Sequence, residues 1–581
     1  MLGNEAIARG AWEAGVTFAS AYPGTPSTEV MENLKKYKEL YVEWAPNEKV
    51  SLEACLGASL SGNRSICSMK HVGLNVAADV LQTLTYTGVN AGLVIVVGDD
   101  PGMHSSQNEQ DTRYFAKMSR AIVLEPSDSQ EAKELTKWAF EVSEETDLPV
   151  IIRSTTRLSH SSSIVEFQDR VEAPKKNVEK NPEKYIVLPA NARKLRVNLD
   201  NKMRKAVSLF EKTSFNKIEE DGDTGVIACG VAYEHAREAF KYASFLKLST
   251  TYPLPKSLIS DFVRRFDKVY VIEESDPFVA DEIRAMDLGV KVIGKEVFEP
   301  SLEMSPDLIR KTLFNVEAPK YDLPVLPRPP LLCAGCPHRG VYYALNQIRL
   351  KKKDLYITSD IGCYSLGALK PLGATDTTVC MGASLGMAAG LAQNLKSDDG
   401  IKVVATLGDS TFTHSGLPGI VELAYNKAPV LAIILDNRTT AMTGHQGNPM
   451  SGIRARGDEV DPIKIKKVLK GLGINHIKVV DPIDFKKLQK TIEKMLKLNE
   501  PCVIISKKPC VLVERAQNVK YFVDEEKCKG CKACLNVACP AMSFDKDVKK
   551  VKIRADLCYG CGLCVDACLH SAISQLKSEK L

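Results

Sequence analysis

Apolar residues along this chain keep two rhythms. Short runs rich in β-branched residues (LVIVVGDD at 93–100, AIVLEPSD at 121–128, PVIIRST at 149–155) have the length of buried strands, and the amphipathic stretches between them repeat at helical spacing. That alternation predicts parallel α/β layers. The rhythm lapses in a charged, Lys- and Asn-rich segment, 166–221, which reads as a connection between domains at 1–165 and 222–320. The second domain opens with strand, glycine turn and helix in GVIACGVAYEHAREAF at 225–240, and VYVIEESDP at 269–277 supplies another strand. Repeated prolines in YDLPVLPRPPLL, 321–332, favour extended linker over helix, and a third α/β region follows over 333–513.

With 581 residues, the chain is too long for a single core. Apolar residues make up 44% and charged residues 26%, with no run of eighteen apolar residues and no basic leader, so the expected setting is the cytoplasm. The net charge of +5 is dispersed, with lysines among acids, which gives no footprint for nucleic acid or a membrane surface. Small ligands and protein partners are the expectation.

Of seventeen cysteines, eight lie between Cys528 and Cys568, a clustering that means metal rather than disulfides. Cys528, Cys531, Cys534 and Cys539 read C-x2-C-x2-C-x4-C-P; Cys558, Cys561, Cys564 and Cys568 read C-x2-C-x2-C-x3-C. In two-cluster ferredoxins three thiolates of each run meet on one cubane and the fourth crosses to the other. This predicts one [4Fe–4S] cluster on Cys528, Cys531, Cys534 and Cys568, and another on Cys558, Cys561, Cys564 and Cys539. Zinc is the alternative, but it would leave the extra thiol of each run unused. The spacing before Cys539 is one residue longer than the regular motif. Either the loop bulges to keep Cys539 aimed at the partner cluster, or that cluster keeps only three protein thiolates.

The third region carries VVATLGDSTFTHSGL at 403–417 and PVLAIILDNRTTAMTG at 429–444. A strand ending in Gly408-Asp409 presents a carboxylate at the sheet edge where open α/β sheets bind ligands. Asp409, the Asn437 amide oxygen and the Thr439 carbonyl can offer three hard oxygens to one Mg2+, with phosphates and water filling the rest. The pattern resembles the thiamine diphosphate motif, normally G-D-G and then N-N, from which Ser410 and Asp436 depart. Read by itself, it could be an ordinary turn. In the first domain, NEKVSLEACLGASLSG at 47–62 resembles the segment that carries the catalytic glutamate of pyrimidine-binding domains. Thiamine enzymes need a carboxylate to exchange a proton with the aminopyrimidine. Glu48 is the candidate and Glu53 the alternative, although a first-turn glutamate also suits the helix dipole.

AYPGTPSTEV, EWAPNEKVSLE, CSMKHVGLNVAADVL, PGMHSSQNEQDTRYF, CAGCPHRG, SDIGCYSLG, the GDS and DN pair and the cysteine-rich tail follow one another along nearly the whole chain. In that order they resemble the 2-oxoacid:ferredoxin oxidoreductases, and among them the large, alpha subunits of the indolepyruvate branch. The resemblance implies a multidomain α/β fold with two doubly wound thiamine diphosphate-binding domains: pyrimidine-binding at 1–165, diphosphate- and Mg-binding at 333–513. Between them it implies a transketolase C-terminal-like domain at 222–320, and after them a 2x[4Fe-4S] ferredoxin-like α+β domain at 520–581. It further implies oxidative decarboxylation of a 2-oxoacid, coenzyme A as acyl acceptor, external ferredoxin as electron acceptor, and a smaller beta subunit in an α2β2 assembly.

In residues, the resemblance sets Thr25 against the substrate carboxylate or carbonyl, and Gly408 and Ser410 beside the cofactor. His71 and His104 are candidate site groups, each equally at home as a structural histidine. Cys333, Cys336, Cys363 and Cys510 stand at intervals comparable to those that hold a further cluster near thiamine in the pyruvate enzymes. They form a third [4Fe–4S] site or are buried thiols. Met442 stands near the cofactor where pyruvate-using relatives have asparagine, which implies an arylpyruvate: indolepyruvate, phenylpyruvate or 4-hydroxyphenylpyruvate. Pyruvate, a branched-chain oxoacid or 2-oxoglutarate as substrate is the nearest alternative. A non-oxidative thiamine decarboxylase would share Glu48, Asp409 and Asn437 without needing clustered cysteines. An electron-transfer subunit with degenerate thiamine domains is the non-enzymatic reading.

Overall fold

The apolar runs become inner strands of parallel sheets, and because such strands are covered on both faces they read as continuous rather than alternating. This computed structural model describes residues 1–298, 303–319, 321, 323–326, 329–352, 354–395, 400–514 and 519–575; Asp322, Pro327 and Arg328 of the proline-rich linker and residues 576–581 of the cysteine-rich domain lie outside them. The chain divides into two compact units, 1–323 and 324–581. Among the described residues no helix is long and apolar enough to cross a membrane.

In the first unit, strands β1 (Phe18–Ala21), β2 (Tyr41–Trp44), β3 (Ser65–Lys70), β4 (Leu93–Asp99), β5 (Ile122–Leu124) and β6 (Val150–Thr155) pair in parallel. A second sheet is built from β7 (Lys217–Glu219), β8 (Gly225–Cys229), β9 (Ser244–Leu248), β11 (Lys268–Ile272) and β12 (Lys291–Ile293), in the order β12-β11-β8-β9-β7. Strand β10 (Thr250–Tyr252) leaves its own neighbours and pairs antiparallel with β5, which makes the first sheet β10-β5-β6-β4-β3-β1-β2. Sequence reading places 250–252 in the second domain; the chain gives it to the first sheet.

A second correction concerns the segment read as a charged connection. It contains a 22-residue helix, Pro189–Phe210, that buries Leu195, Leu199, Lys202, Ala206 and Phe210 at helical spacing. The helix packs against helices His71–Thr87 and Ser129–Thr146. Phe210 meets Trp138 with ring centroids 5.8 Å apart, and Lys202 pairs with Asp147 at 2.8 Å. Buried lysine and flanking charges hide this apolar stripe from a composition-based reading.

The two sheets of this unit are joined by buried ions. Arg113 pairs with Asp111 at 2.5 Å and with Glu273 at 2.6 Å, and Arg153 pairs with Asp99 at 2.7 Å and Glu125 at 2.6 Å. Glu273 follows β11, whereas Asp99 and Arg153 belong to β4 and β6. Desolvation opposes these charges, and their mutual pairing offsets it.

The second unit holds β13 (Leu355–Ser359), β14 (Thr377–Thr378), β15 (Lys402–Gly408), β16 (Val430–Asp436), β17 (His476–Val480) and β18 (Cys502–Lys507), parallel in the order β14-β13-β15-β16-β18-β17. The cysteine-rich domain adds two antiparallel pairs, β19 (Tyr521–Val523) with β22 (Ile573–Gln575) and β20 (Met542–Asp545) with β21 (Lys550–Ile553).

Candidate functional site

Most candidate residues lie just past the C-terminal ends of parallel strands, where the ligands of open α/β sheets bind. In the first unit, Thr25 follows β1, Glu48 follows β2 and His71 follows β3. Asn47 caps the Glu48–Leu60 helix by accepting from the Val50 N–H at 2.9 Å, and this fixes where Glu48 leaves the strand. Glu48 is buried, whereas Glu53 lies on the outer face paired with Lys49. The Glu48 carboxylate lies against Gly73 of the next helix: a Cβ at Gly73 would stand 2.5 Å from Glu48 Oε1. Gly73 therefore keeps open the volume that Glu48 fills. Gly73→Ala should displace that carboxylate and cost roughly 10²-fold in kcat, the scale of a 1 Å misplacement, with Tm little changed. Steady-state kinetics alongside thermal melts check it.

Thr25 is half-buried in the turn after β1. His71 is the first residue of a helix rather than a loop residue. Its two ring nitrogens face the backbone carbonyls of Gly98 and Asn108, each at 3.3 Å, so the side chain ties two loops together. His104 is largely exposed and pairs with Glu303 at 3.0 Å. Lys70, which sequence reasoning passed over, is buried beside Gly24 of the YPGT turn and donates to the Ser105 carbonyl at 2.9 Å. Burial pulls its pKa down to about 8 against the opposing charge of Asp100.

In the second unit, Gly408 ends β15, and a helix starts at Asp409, passes through a π turn at Phe412–Gly416 and continues over Leu417–Tyr425. A Cβ on Gly408 would meet the Tyr364 ring at 2.9 Å. Asp409 is buried and accepts from the Ser410 and Arg438 N–H groups, both at 2.7 Å. Burial, with Asp436 beside it, pushes Asp409 up to about 8. The Asn437 amide decides what this pocket is suited to hold. Turned one way, its nitrogen donates to the Thr439 carbonyl at 2.9 Å and to Asp409 Oδ1 at 3.2 Å. Turned the other way, its nitrogen faces His338 Nε2 at 3.5 Å, and its oxygen joins the Thr439 carbonyl and Asp409 Oδ1. Three oxygens gathered at one point are a donor set that suits a hard divalent ion. Burial holds His338 neutral, near pKa 4, as an acceptor must be. His338 and Asn448, whose amide reaches Asp409 Oδ1 at 3.5 Å, were not singled out in the sequence. Met442 is exposed on the following loop.

The cysteines gather into three sets. Cys528, Cys531, Cys534 and Cys568 line one cavity, and Cys539, Cys558, Cys561 and Cys564 line another. The extra residue before Cys539 is absorbed at Ala538, which closes the short helix Ala533–Val537 in the left-handed conformation (φ 59°) and so turns Cys539 into the second cavity. Burial and neighbouring sulfurs push Cys534 up to about 11 and Cys564 to about 12, a penalty that iron would relieve by holding thiolates. The third set follows strand ends: Cys363 lies beyond β13, Cys510 beyond β18, and Cys333 and Cys336 precede the His338–Lys352 helix. Cys336 and Cys363 are pushed up to about 12 and about 11 by burial, with Cys333 and Cys510 among the sulfurs acting on them. The Cys510 N–H donates to the Asn437 carbonyl at 3.0 Å, which binds this set to the candidate metal loop.

Comparison with known proteins decides what these arrangements belong to. A relative from Archaeoglobus fulgidus, "Indolepyruvate oxidoreductase subunit IorA", is 42% identical over 100% of this chain and 98% of its own. The chain belongs to the IorA family of indolepyruvate oxidoreductase subunits. IorA proteins of Pyrococcus horikoshii and Methanothermobacter marburgensis are both 39% identical, over 100% and 99% of this chain and 97% and 96% of theirs. Three family models match: pyruvate flavodoxin/ferredoxin oxidoreductase, thiamine diP-binding, at 9–221; thiamine pyrophosphate enzyme, C-terminal TPP binding domain, at 360–506; and 4Fe-4S dicluster domain at 520–569. As an IorA-family member the chain is a subunit of a thiamine diphosphate-dependent 2-oxoacid:ferredoxin oxidoreductase that carries 4Fe-4S clusters.

Proposed function

We propose that this chain is the large subunit of an enzyme that oxidatively decarboxylates arylpyruvates (indolepyruvate, phenylpyruvate and 4-hydroxyphenylpyruvate) with coenzyme A to aryl-acetyl-CoA and CO2, delivering electrons to ferredoxin. A smaller beta subunit completes it in an α2β2 assembly. The observation that carries this reading is the full-length likeness to IorA proteins, together with three separate sets of four cysteines in one chain. Bound thiamine diphosphate supplies carbanion chemistry at the 2-oxo carbon, and the clusters carry electrons away.

The chain's own residues then take these roles. Glu48 holds and exchanges a proton through its carboxylate, buried against Gly73. Asp409, Asn437 and Thr439 hold Mg2+ by oxygen, with Gly408 and Ser410 at the diphosphate. Thr25 faces the substrate's carboxylate or carbonyl, while His71 acts on loop position rather than on substrate, given its two carbonyl partners. Cys333, Cys336, Cys363 and Cys510 hold a third [4Fe–4S] cluster. Met442 offers a flexible thioether to an aromatic side chain. A substrate panel tests the reading: kcat/KM for indolepyruvate or phenylpyruvate should exceed that for pyruvate, and a preference for pyruvate or 2-oxoglutarate would overturn it.

The Mg2+ assignment predicts a pH dependence. An aspartate raised from an ordinary value near ~3.9 to about 8 keeps its proton in the metal-free fold, and stability from that protonated form is lost as pH rises through 8. Mg2+ needs the anion, so its affinity should fall about tenfold for each pH unit below 8. The gain in Tm on adding Mg2+ should therefore be larger at about pH 8.5 than at about 6.5, and Asp409→Asn should erase the difference. Equal gains at both pH values in the unaltered protein would remove Asp409 from the ligand set.

A further inference from the structure

Arg339, three residues past Cys336, is among the most deeply buried charges of the second unit, at 2% exposure. Its guanidinium spans two cysteine loops. Nη2 donates to the carbonyls of Leu332 and Cys333, the latter at 2.9 Å, at the start of the Cys333–Cys336 loop. Nη1 donates to the Val537 carbonyl at 3.0 Å and to that of Ala538, in the turn that delivers Cys539. Two successive carbonyls of that turn thus face one guanidinium. The remaining nitrogen, Nε, is buried with no partner among the described residues, and Arg339 lines the cavity ringed by Cys539, Cys558, Cys561 and Cys564. Burial weighs against its charge, and the charges that favour it most are the sulfurs of Cys539, Cys336, Cys561 and Cys333. The same two regions also touch through Gly335, where a Cβ would lie 2.5 Å from the Tyr559 ring.

A buried N–H without an acceptor is costly, and one of the few acceptors this cavity could supply is sulfur. Hydrogen bonds to a cluster's sulfurs shift its reduction potential, and a fixed positive charge favours the more negative, reduced form. We propose that Arg339 positions and tunes the iron–sulfur cluster of the Cys539, Cys558, Cys561 and Cys564 cavity: its Nε–H donates to that cluster's sulfur while its two Nη groups clamp the Cys333–Cys336 loop to the Cys539 turn. One charge thereby acts on both sulfur sets. The cluster gains or loses the electron; Arg339 keeps its proton throughout. This rests on the cysteine assignment proposed above.

The test uses the full chain with its clusters, purified anaerobically. In protein labelled with 15N-arginine, pulsed EPR of the reduced cluster should show a weak 15N coupling on the signal that Cys561→Ala removes. Absence of that coupling overturns the proposal without any variant at Arg339. In Arg339→Gln, the equilibrium for reducing the same cluster should shift about tenfold toward the oxidised form, about 59 mV for one electron, with the Cys528-set cluster unmoved. Arg339→Lys, which keeps charge but not the fork, should recover part of the shift. A wild-type potential in Arg339→Gln with iron intact would overturn the idea, and if that variant loses iron the nitrogen coupling alone decides. Failure of the cysteine assignment looks different: Cys561→Ala would then leave every cluster signal in place.

Discussion

Glu48→Gln protein should keep its full cluster absorbance and lose turnover by about 10²–10⁴-fold, the range for removing a positioned acid–base group. The substitution is nearly isosteric, and Gly73 leaves no room for a larger rearrangement, so the fold should persist. The chain offers its own control. Glu53 sits five residues on, exposed and paired with Lys49, and Glu53→Gln should change kcat little. Stopped assays with the 2-oxoacid, ferredoxin reduction and visible spectra on the same samples read all three quantities. Activity retained in Glu48→Gln but lost in Glu53→Gln would transfer the role.

Cys510→Ala should lower bound iron from about twelve to about eight per chain, four for each cluster. The Cys510 N–H that supports Asn437 belongs to the backbone and survives the substitution, so thiamine diphosphate should still bind. Ferredoxin reduction driven by the 2-oxoacid should collapse, while chemical reduction of the other two clusters by dithionite remains. Iron analysis with isothermal binding of the cofactor separates these outcomes. About eight irons in the unaltered chain would mean that Cys333, Cys336, Cys363 and Cys510 are unliganded thiols, Cys333 at the surface and Cys336 and Cys510 buried.

What could be read from the sequence was what depends on close spacing. Runs of cysteines two residues apart each gather on one cavity, and even the irregular run sends Cys539 to the cavity its regular counterpart would serve. The GDS and DN motifs sit at strand ends that their apolar runs already mark. Harder to read was everything that depends on distant segments meeting. His338 and Arg339 lie in a motif read only for its cysteines, and Arg339 finds its partners about two hundred positions away, at Val537 and Ala538. The Pro189–Phe210 helix escaped because one of its five buried positions is Lys202, whose charge is matched by Asp147 from another helix end. Three residues of strand, 250–252, carry too little pattern to reveal which sheet they join.

That displaced strand bears on how the protein can be dissected. A fragment ending near residue 221, where the first family model stops, would lack β10 and expose the β5 edge, and it would strip Arg113 of Glu273. Removing one partner from a buried ion network costs up to about 3–5 kcal/mol, a large share of the ~5–15 kcal/mol that holds a typical domain together, even though Asp111 stays with Arg113. The smallest autonomous piece bearing Glu48 therefore extends to about residue 323, and the two sheets of the first unit must be inherited, expressed and unfolded together.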